Sequence, residues 1–226
     1  MSNFRYTRAD NFPPIVKNLI IINALVFVAQ ITLNVTNYLM LYPIQHPDFA
    51  PYQIATHMFA HSPSMIFHIM FNMFGLWMFG KALENVWGSK RFLFFYLSCG
   101  VGAALIHLGI QYFRYEQALS LYNSGNIQAA TKLASSIGPA LGASGAVMGI
   151  FAAFAYLFPN TELYLMFIPI PIKAKWLVLG LAAYDLFGGM ANISGDNIAH
   201  FAHLGGALTG FILVLIWNKS NRRRFY

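Results

Sequence analysis

Six stretches of the chain are apolar for long enough to be read as membrane spans: residues 16–41, 66–83, 92–113, 140–158, 173–193 and 199–217. The benchmark is the roughly 20 residues that a helix needs to cross a bilayer. Punctuation between the stretches supports their limits. The first opens after Pro13-Pro14 and closes near Pro43, the second follows Ser62-Pro63-Ser64, and the fourth stops at Pro159-Asn160. Ile168-Pro169-Ile170-Pro171 precedes the fifth. Prolines lack the amide donor that a helix needs, so residues 163–168 are expected to form an extended connector at the interface. Residues 42–65 are a long, apolar loop expected to lie in the interface. In residues 114–138 two helix-like stretches, Tyr115–Leu121 and Ile127–Ala134, flank a break at Asn123-Ser124-Gly125.

The distribution of charge sets an orientation. With the N-terminus inside, twelve of the fourteen Lys and Arg fall on the inner side, and only Arg114 and Lys132 fall outside. Such a bias predicts that both termini are cytoplasmic. The 226 residues are 58% hydrophobic and 9% charged, far below the roughly 25% charge of soluble domains. The formal net charge of +7 thus reads as membrane orientation rather than nucleic-acid binding. The expected architecture is an all-α polytopic bundle of six transmembrane helices. Residues 1–14 form a short cytoplasmic segment, 15–217 the membrane domain and 218–226 a basic tail. The N-terminal MSNFRYTRADNFPP lacks the order of a cleaved signal peptide and is expected to stay on the chain. Cys99 is the single cysteine, so no intrachain disulfide forms.

Three of the six stretches carry polar residues at matching depth. The second, fourth and sixth run in the same direction, and near their starts lie His68 (with Asn72 one turn deeper), Ser144, and the pair His200 and His203. A helix from Ser144 to Leu157 is only about 21 Å long, short of the ~30 Å apolar core. Its start is therefore expected below the outer surface. Gly145-xxx-Gly149 follows the serine and Gly206-xxx-Gly210 follows His203. Small residues four apart let helix backbones approach, which would bring a hydroxyl to an imidazole. Serine becomes a nucleophile when a base takes its proton, and histidine suits that role near neutral pH. Attack on a peptide bond creates an oxyanion, for which His68, Asn72 and the Ser144 backbone amide are candidate donors. Asp185 is the only acidic residue in these stretches, and a Ser–His dyad without it is the simpler expectation.

Gly142-Ala143-Ser144-Gly145, His68-xxx-Asn72 and Ala202-His203-Leu204-Gly205-Gly206-xxx-Gly210 together resemble the signatures of rhomboid intramembrane serine proteases. Glu84, Gly88-Ser89, Arg91 and Tyr96-Leu97 resemble that family's turn between its second and third spans. The likeness runs from about residue 50 to residue 215. It implies Ser144 as nucleophile, His203 as general base, and His68 and Asn72 on the oxyanion. It also implies transmembrane protein substrates cut near their outer ends, with no metal or cofactor. In the family pattern the base precedes the first glycine of Gly-xxx-Gly by three residues. That selects His203 and leaves His200, one turn nearer the surface, as a loop-facing or network residue. Two positions depart from the pattern: Tyr52-Gln53 stands where many members carry Trp-Arg, and Met148 where an aromatic is common. His57, His61 and His107 read as structural, and His46 as a loop residue. A catalytically silent relative that binds or chaperones membrane proteins is the alternative. A transporter would show paired charges or repeated halves. A zinc site built on His57, His61, His68 and His203 would lack an acidic partner. The compact form suggests a bacterial plasma membrane.

Overall fold

The computed structural model describes residues 10–165, 168–191 and 199–220. The cytoplasmic segment expected over residues 1–14 and the basic tail expected over 218–226 thus both fall mostly outside the described residues. The helices are α1 (Pro14–Leu33), α2 (Ile66–Trp87), α3 (Ser89–Asn123), α4 (Ile127–Ala134), α5 (Ser144–Leu157), α6 (Ala174–Ala191) and α7 (His200–Ser220), with short helical turns between α1 and α2. Among them α1, α2, α3 and α7 are long and apolar enough to cross a membrane. Length and composition among the described residues thus support four of the six expected spans. α5 has 14 residues, while α6 has 18 and carries Lys175 and Asp185.

The first apolar stretch ends earlier than expected. Asn34 takes a left-handed conformation (φ 54°) and stops α1 at Leu33, because asparagine tolerates that geometry at a helix end. The freed chain turns back, and Leu41 pairs with Ala140 through two backbone hydrogen bonds of 2.8 and 2.9 Å. The third stretch is longer than expected: α3 continues through Tyr115–Leu121 to Asn123, and Gly125 (φ 81°) makes the break before α4. Residues around Ile168–Pro171 are extended. β1 (Glu162–Leu165) pairs antiparallel with β2 (Ile168–Lys173), Glu162 opposite Lys173. With only two strands, the prolines meet no demand for a second ladder.

α5 is the axis of the bundle. Nine of its residues, Gly145 to Ile150 and Ala152 to Phe154, are buried, as expected of a helix apolar on all sides. α7 runs parallel to it. A Cβ on Gly206 would overlap the Gly145 carbonyl, and one on Gly210 would stand 2.6 Å from the Gly149 oxygen. α3 runs antiparallel, so that Cys99 meets Gly149 and Ala103 meets Gly145. The predicted close approach of the two Gly-xxx-Gly faces is therefore present. The outer surface of the bundle stays apolar: Leu25, Val28, Phe113, Phe187 and Leu208 are all more than half exposed. Water does not favour such a belt, but lipid does.

Two polar anchors hold the ends. Glu84, 2% exposed, accepts from the Ile15 and Val16 amides at 3.0 and 2.8 Å and from Ser89 Oγ at 2.6 Å. It thereby satisfies donors at the start of α1 that no helical acceptor reaches. At the far end of α1, Gln30 donates to the His61 carbonyl at 2.9 Å and accepts from the His61 amide at 2.8 Å. The loop after α1 is thus tied to the bundle by side chains rather than left in solvent.

Candidate active site

Ser144 is the first residue of α5. The chain reaches it through Gly142, whose φ of +131° favours glycine. The space is also closed to a side chain. A Cβ on Gly142 would lie 2.8 Å from His68 Nε2 and 3.4 Å from Ser144 Oγ. The imidazole of His68 and the hydroxyl of Ser144 therefore line one small space in front of this glycine. Backbone bonds hold the approach in place: Gly142 N donates to the His57 carbonyl at 2.9 Å, next to the Leu41–Ala140 pair.

His203 lies on the first turn of α7. Its Nε2 is 2.8 Å from Ser144 Oγ. The structure thus brings together the serine and the histidine that the sequence singled out, and the parallel glycine contact between α5 and α7 sets their separation. Its Nδ1 is 3.0 Å from Asp185 Oδ1, and the same oxygen is 2.8 Å from Nδ1 of His200. Asp185 is 3% exposed and His200 4%. Here the structure departs from the expectation that no acidic residue is placed to orient the histidine. Only the packing of α6 against the start of α7 reveals the contact. Gly188 and Gly189 permit it, since a Cβ on Gly189 would lie 2.9 Å from the Phe201 ring. The one signal in the sequence was Asp185 itself, a lone acid in an apolar helix. Of the two positions expected for His200, loop-facing or network, its contact with Asp185 is of the second kind.

His68 and Asn72 sit on one face of α2. Asn72 Nδ2 donates to the His68 carbonyl at 2.8 Å, which uses one of its two protons and leaves one. His68 Nδ1 stands 3.5 Å from the Ser62 amide, and its ring meets His61 edge-on at 5.1 Å between centroids. At the start of α5 the first amide with a helical acceptor is that of Val147, bonded to Ala143 O at 2.9 Å. The Ser144 amide is thus free of helical pairing and, with the helix dipole behind it, suited to an anion.

The loop around the site is organised by a residue that departs from the family pattern. Gln53, 1% exposed, accepts from the Tyr42 and Ala50 amides at 3.3 and 3.2 Å and donates to the Asp48 carbonyl at 2.9 Å. One turn on, His57 Nδ1 bonds the Gln53 carbonyl at 3.0 Å. Burial pushes His57 down to about 4. Burial, with His68 adding to it, pushes His61 down to about 3. Both rings are therefore neutral near pH 7: His57 bonds a backbone carbonyl, and His61 packs edge-on against His68. Met148 is buried in α5.

Comparison with known proteins identifies the family. A family model described as the Rhomboid domain matches residues 48–220. The chain is 32% identical over 217 residues to RHOMBOID-like protein 12, mitochondrial, of Arabidopsis thaliana, covering 93% of this chain and 60% of that protein. It is 30% identical over 214 residues to the Presenilin-associated rhomboid-like protein, mitochondrial, of Mus musculus (90% and 50% covered). Against Rhomboid protein 1, mitochondrial, of Saccharomyces cerevisiae it is 27% identical over 175 residues (77% and 45%). The chain spans about half the length of these curated relatives. Their names are mitochondrial, and they lend no support to the bacterial plasma membrane expected from the compact form.

Proposed function

Because the chain belongs to the rhomboid family, we propose that it is an intramembrane serine endopeptidase with Ser144 as nucleophile and His203 as general base. The observation that carries this reading is the 2.8 Å approach of Ser144 Oγ to His203 Nε2, well inside the reach that proton transfer requires. Ser144 Oγ attacks the scissile carbonyl carbon as its proton passes to His203 Nε2. The oxyanion so formed meets the Ser144 amide and the side chains of His68 and Asn72, each such donor being worth about 10²–10³ in rate. His203 returns the proton to the leaving amine nitrogen, the C–N bond breaks, and an acyl-serine remains. Water, deprotonated by the same histidine, then releases the acid and restores Ser144.

The substrates on this reading are membrane proteins with a helix that unwinds near the outer face, since a paired backbone does not present its peptide bonds. Six helices cross the bilayer, with both termini on the basic side. Lys17, Lys81, Lys90, Arg91, Lys175 and Lys219 lie at the helix ends away from Ser144, and Arg114 and Lys132 lie at its end, a bias that supports this orientation.

The test is purified protein in liposomes with a single-span substrate bearing a small residue near its outer end, read by mass spectrometry. Cleavage that disappears in Ser144→Ala is the expected result. Equal cleavage by Ser144→Ala overturns the nucleophile. No cleavage of any substrate by folded wild-type protein favours the silent relative that binds membrane proteins.

A further inference from the structure

The reading of Ser144 and His203 as nucleophile and base leaves Asp185 unexplained. This is a carboxylate in the bundle interior, and burying such a group is costly unless it is paired. Its partners are specific. One oxygen, Oδ1, meets Nδ1 of His203 at 3.0 Å and Nδ1 of His200 at 2.8 Å. An ionised carboxylate only accepts hydrogen bonds, so each histidine must carry its proton on Nδ1. For His203 this fixes the other nitrogen: Nε2 holds a lone pair, and it faces Ser144 Oγ at 2.8 Å. An imidazole without that partner would divide between two tautomers. The one protonated on Nε2 would donate toward the serine and could not take its proton.

We propose that Asp185 is a positioning residue of the protease, holding His203 in the Nδ1–H tautomer and at the angle in which Nε2 meets Ser144. The proposal rests on the assignment of Ser144 and His203 above. Asp185 also lies where it supports the imidazolium formed during attack, as the acid of a serine-protease triad does. His200 bonds the same oxygen from one turn away and fixes the carboxylate in turn. The three members come from three helices: Ser144 from α5, Asp185 from α6 and His203 from α7. Lateral displacement of α6 would carry the carboxylate away from His203, so the site is assembled only while α6 is docked.

Two measurements test this. In protein with ¹⁵N-labelled histidine, assigned by loss of the signal in His203→Ala, wild-type His203 should show a protonated Nδ1 and an unprotonated Nε2 at neutral pH. Asp185→Asn should lose that pattern. In liposome cleavage, Asp185→Asn should lower kcat by about 10²–10⁴ with KM within about twofold, as when the acid of a triad is neutralised. The same change in a His203→Ala background should cause no further loss, because Asp185 acts through His203. His200→Ala should cost less than Asp185→Asn. A wild-type His203 protonated on Nε2 would overturn the proposal whether or not Asp185→Asn folds. So would an Asp185→Asn enzyme with wild-type kcat, or one whose loss persists in full without His203. If wild-type protein cuts nothing, the proposed function fails, and the tautomer measurement still decides the role of Asp185.

Discussion

Replacing Gly210 by alanine should part α5 from α7 and switch off the site without unfolding the bundle. The added Cβ would stand 2.6 Å from the Gly149 oxygen and 2.7 Å from its Cα, against 3.4 Å for ordinary contact. The obstacle is backbone, so no side-chain rotation relieves it, and the helices must move by about 0.8 Å. If they separate as rigid rods, the 2.8 Å between Ser144 Oγ and His203 Nε2 opens to about 3.6 Å, beyond a hydrogen bond. A misplacement of about 1 Å costs up to about 10²-fold in rate. Gly210→Ala should therefore lose about 10- to 100-fold in kcat/KM. Gly206→Ala, one turn nearer the dyad and colliding with the Gly145 carbonyl, should lose at least as much. Overpacking of this kind destabilises by about 1–3 kcal/mol. Gly109→Ala is the control, since nothing lies within 4 Å of its Cβ, and the gain in helix propensity should leave cleavage unchanged. The assay is cleavage of a single-span substrate in liposomes beside thermal unfolding of each variant. Folded Gly206→Ala and Gly210→Ala enzymes with wild-type kcat/KM would refute the claim that the glycine contact sets the Ser144–His203 distance.

Two further outcomes follow from the loop side of the site. Gly142→Ala should lower kcat by about 10²-fold or more while leaving the α5–α7 contact intact. The new methyl would sit 2.8 Å from His68 Nε2 at a φ of +131°, displacing an oxyanion donor; kinetics of the folded variant decide it, and unchanged kcat would exclude His68 from that role. Stability should fall in acid. His57 and His61 titrate near 4 and 3 when folded against 6.5 otherwise, so the unfolded chain binds more protons between those values. Stability is then full above pH 6.5 and falls as pH drops, by up to about 1.4 kcal/mol per unit for each ring, until the folded value is reached. Melting curves across this range should be flatter for His61→Phe than for wild type, and equal slopes would show that His61 is not buried neutral.

The parts of the molecule legible in the sequence are those written in local spacing. Ser144 among small residues, and glycines at one offset from His203, state both the residue types and the helix faces, because a period of 3.6 turns spacing into direction. The breaks at Asn123-Ser124-Gly125 and at Pro159, and the extended run around Pro169 and Pro171, follow from backbone chemistry alone. What escaped depends on how one helix is rotated against another. Asp185 was visible as a lone acid, but whether it faced lipid, water or His203 depends on the packing of Gly188 and Gly189 against α7, which no spacing within α6 encodes. The end of α1 was missed for a different reason. Val35, Leu39, Met40 and Leu41 prolong the apolar run past Leu33, and the left-handed turn at Asn34 and the pairing of Leu41 with Ala140, some hundred residues away in sequence, take them out of the helix. Gln53 makes the same point from the other side. It reads as a departure from a family pattern, yet its three backbone partners make it the centre of the loop that holds His57 and, through the His57 carbonyl, Gly142. A residue that breaks a pattern can still organise its loop: a glutamine, with an acceptor and two donors, meets the Tyr42 and Ala50 amides and the Asp48 carbonyl at once.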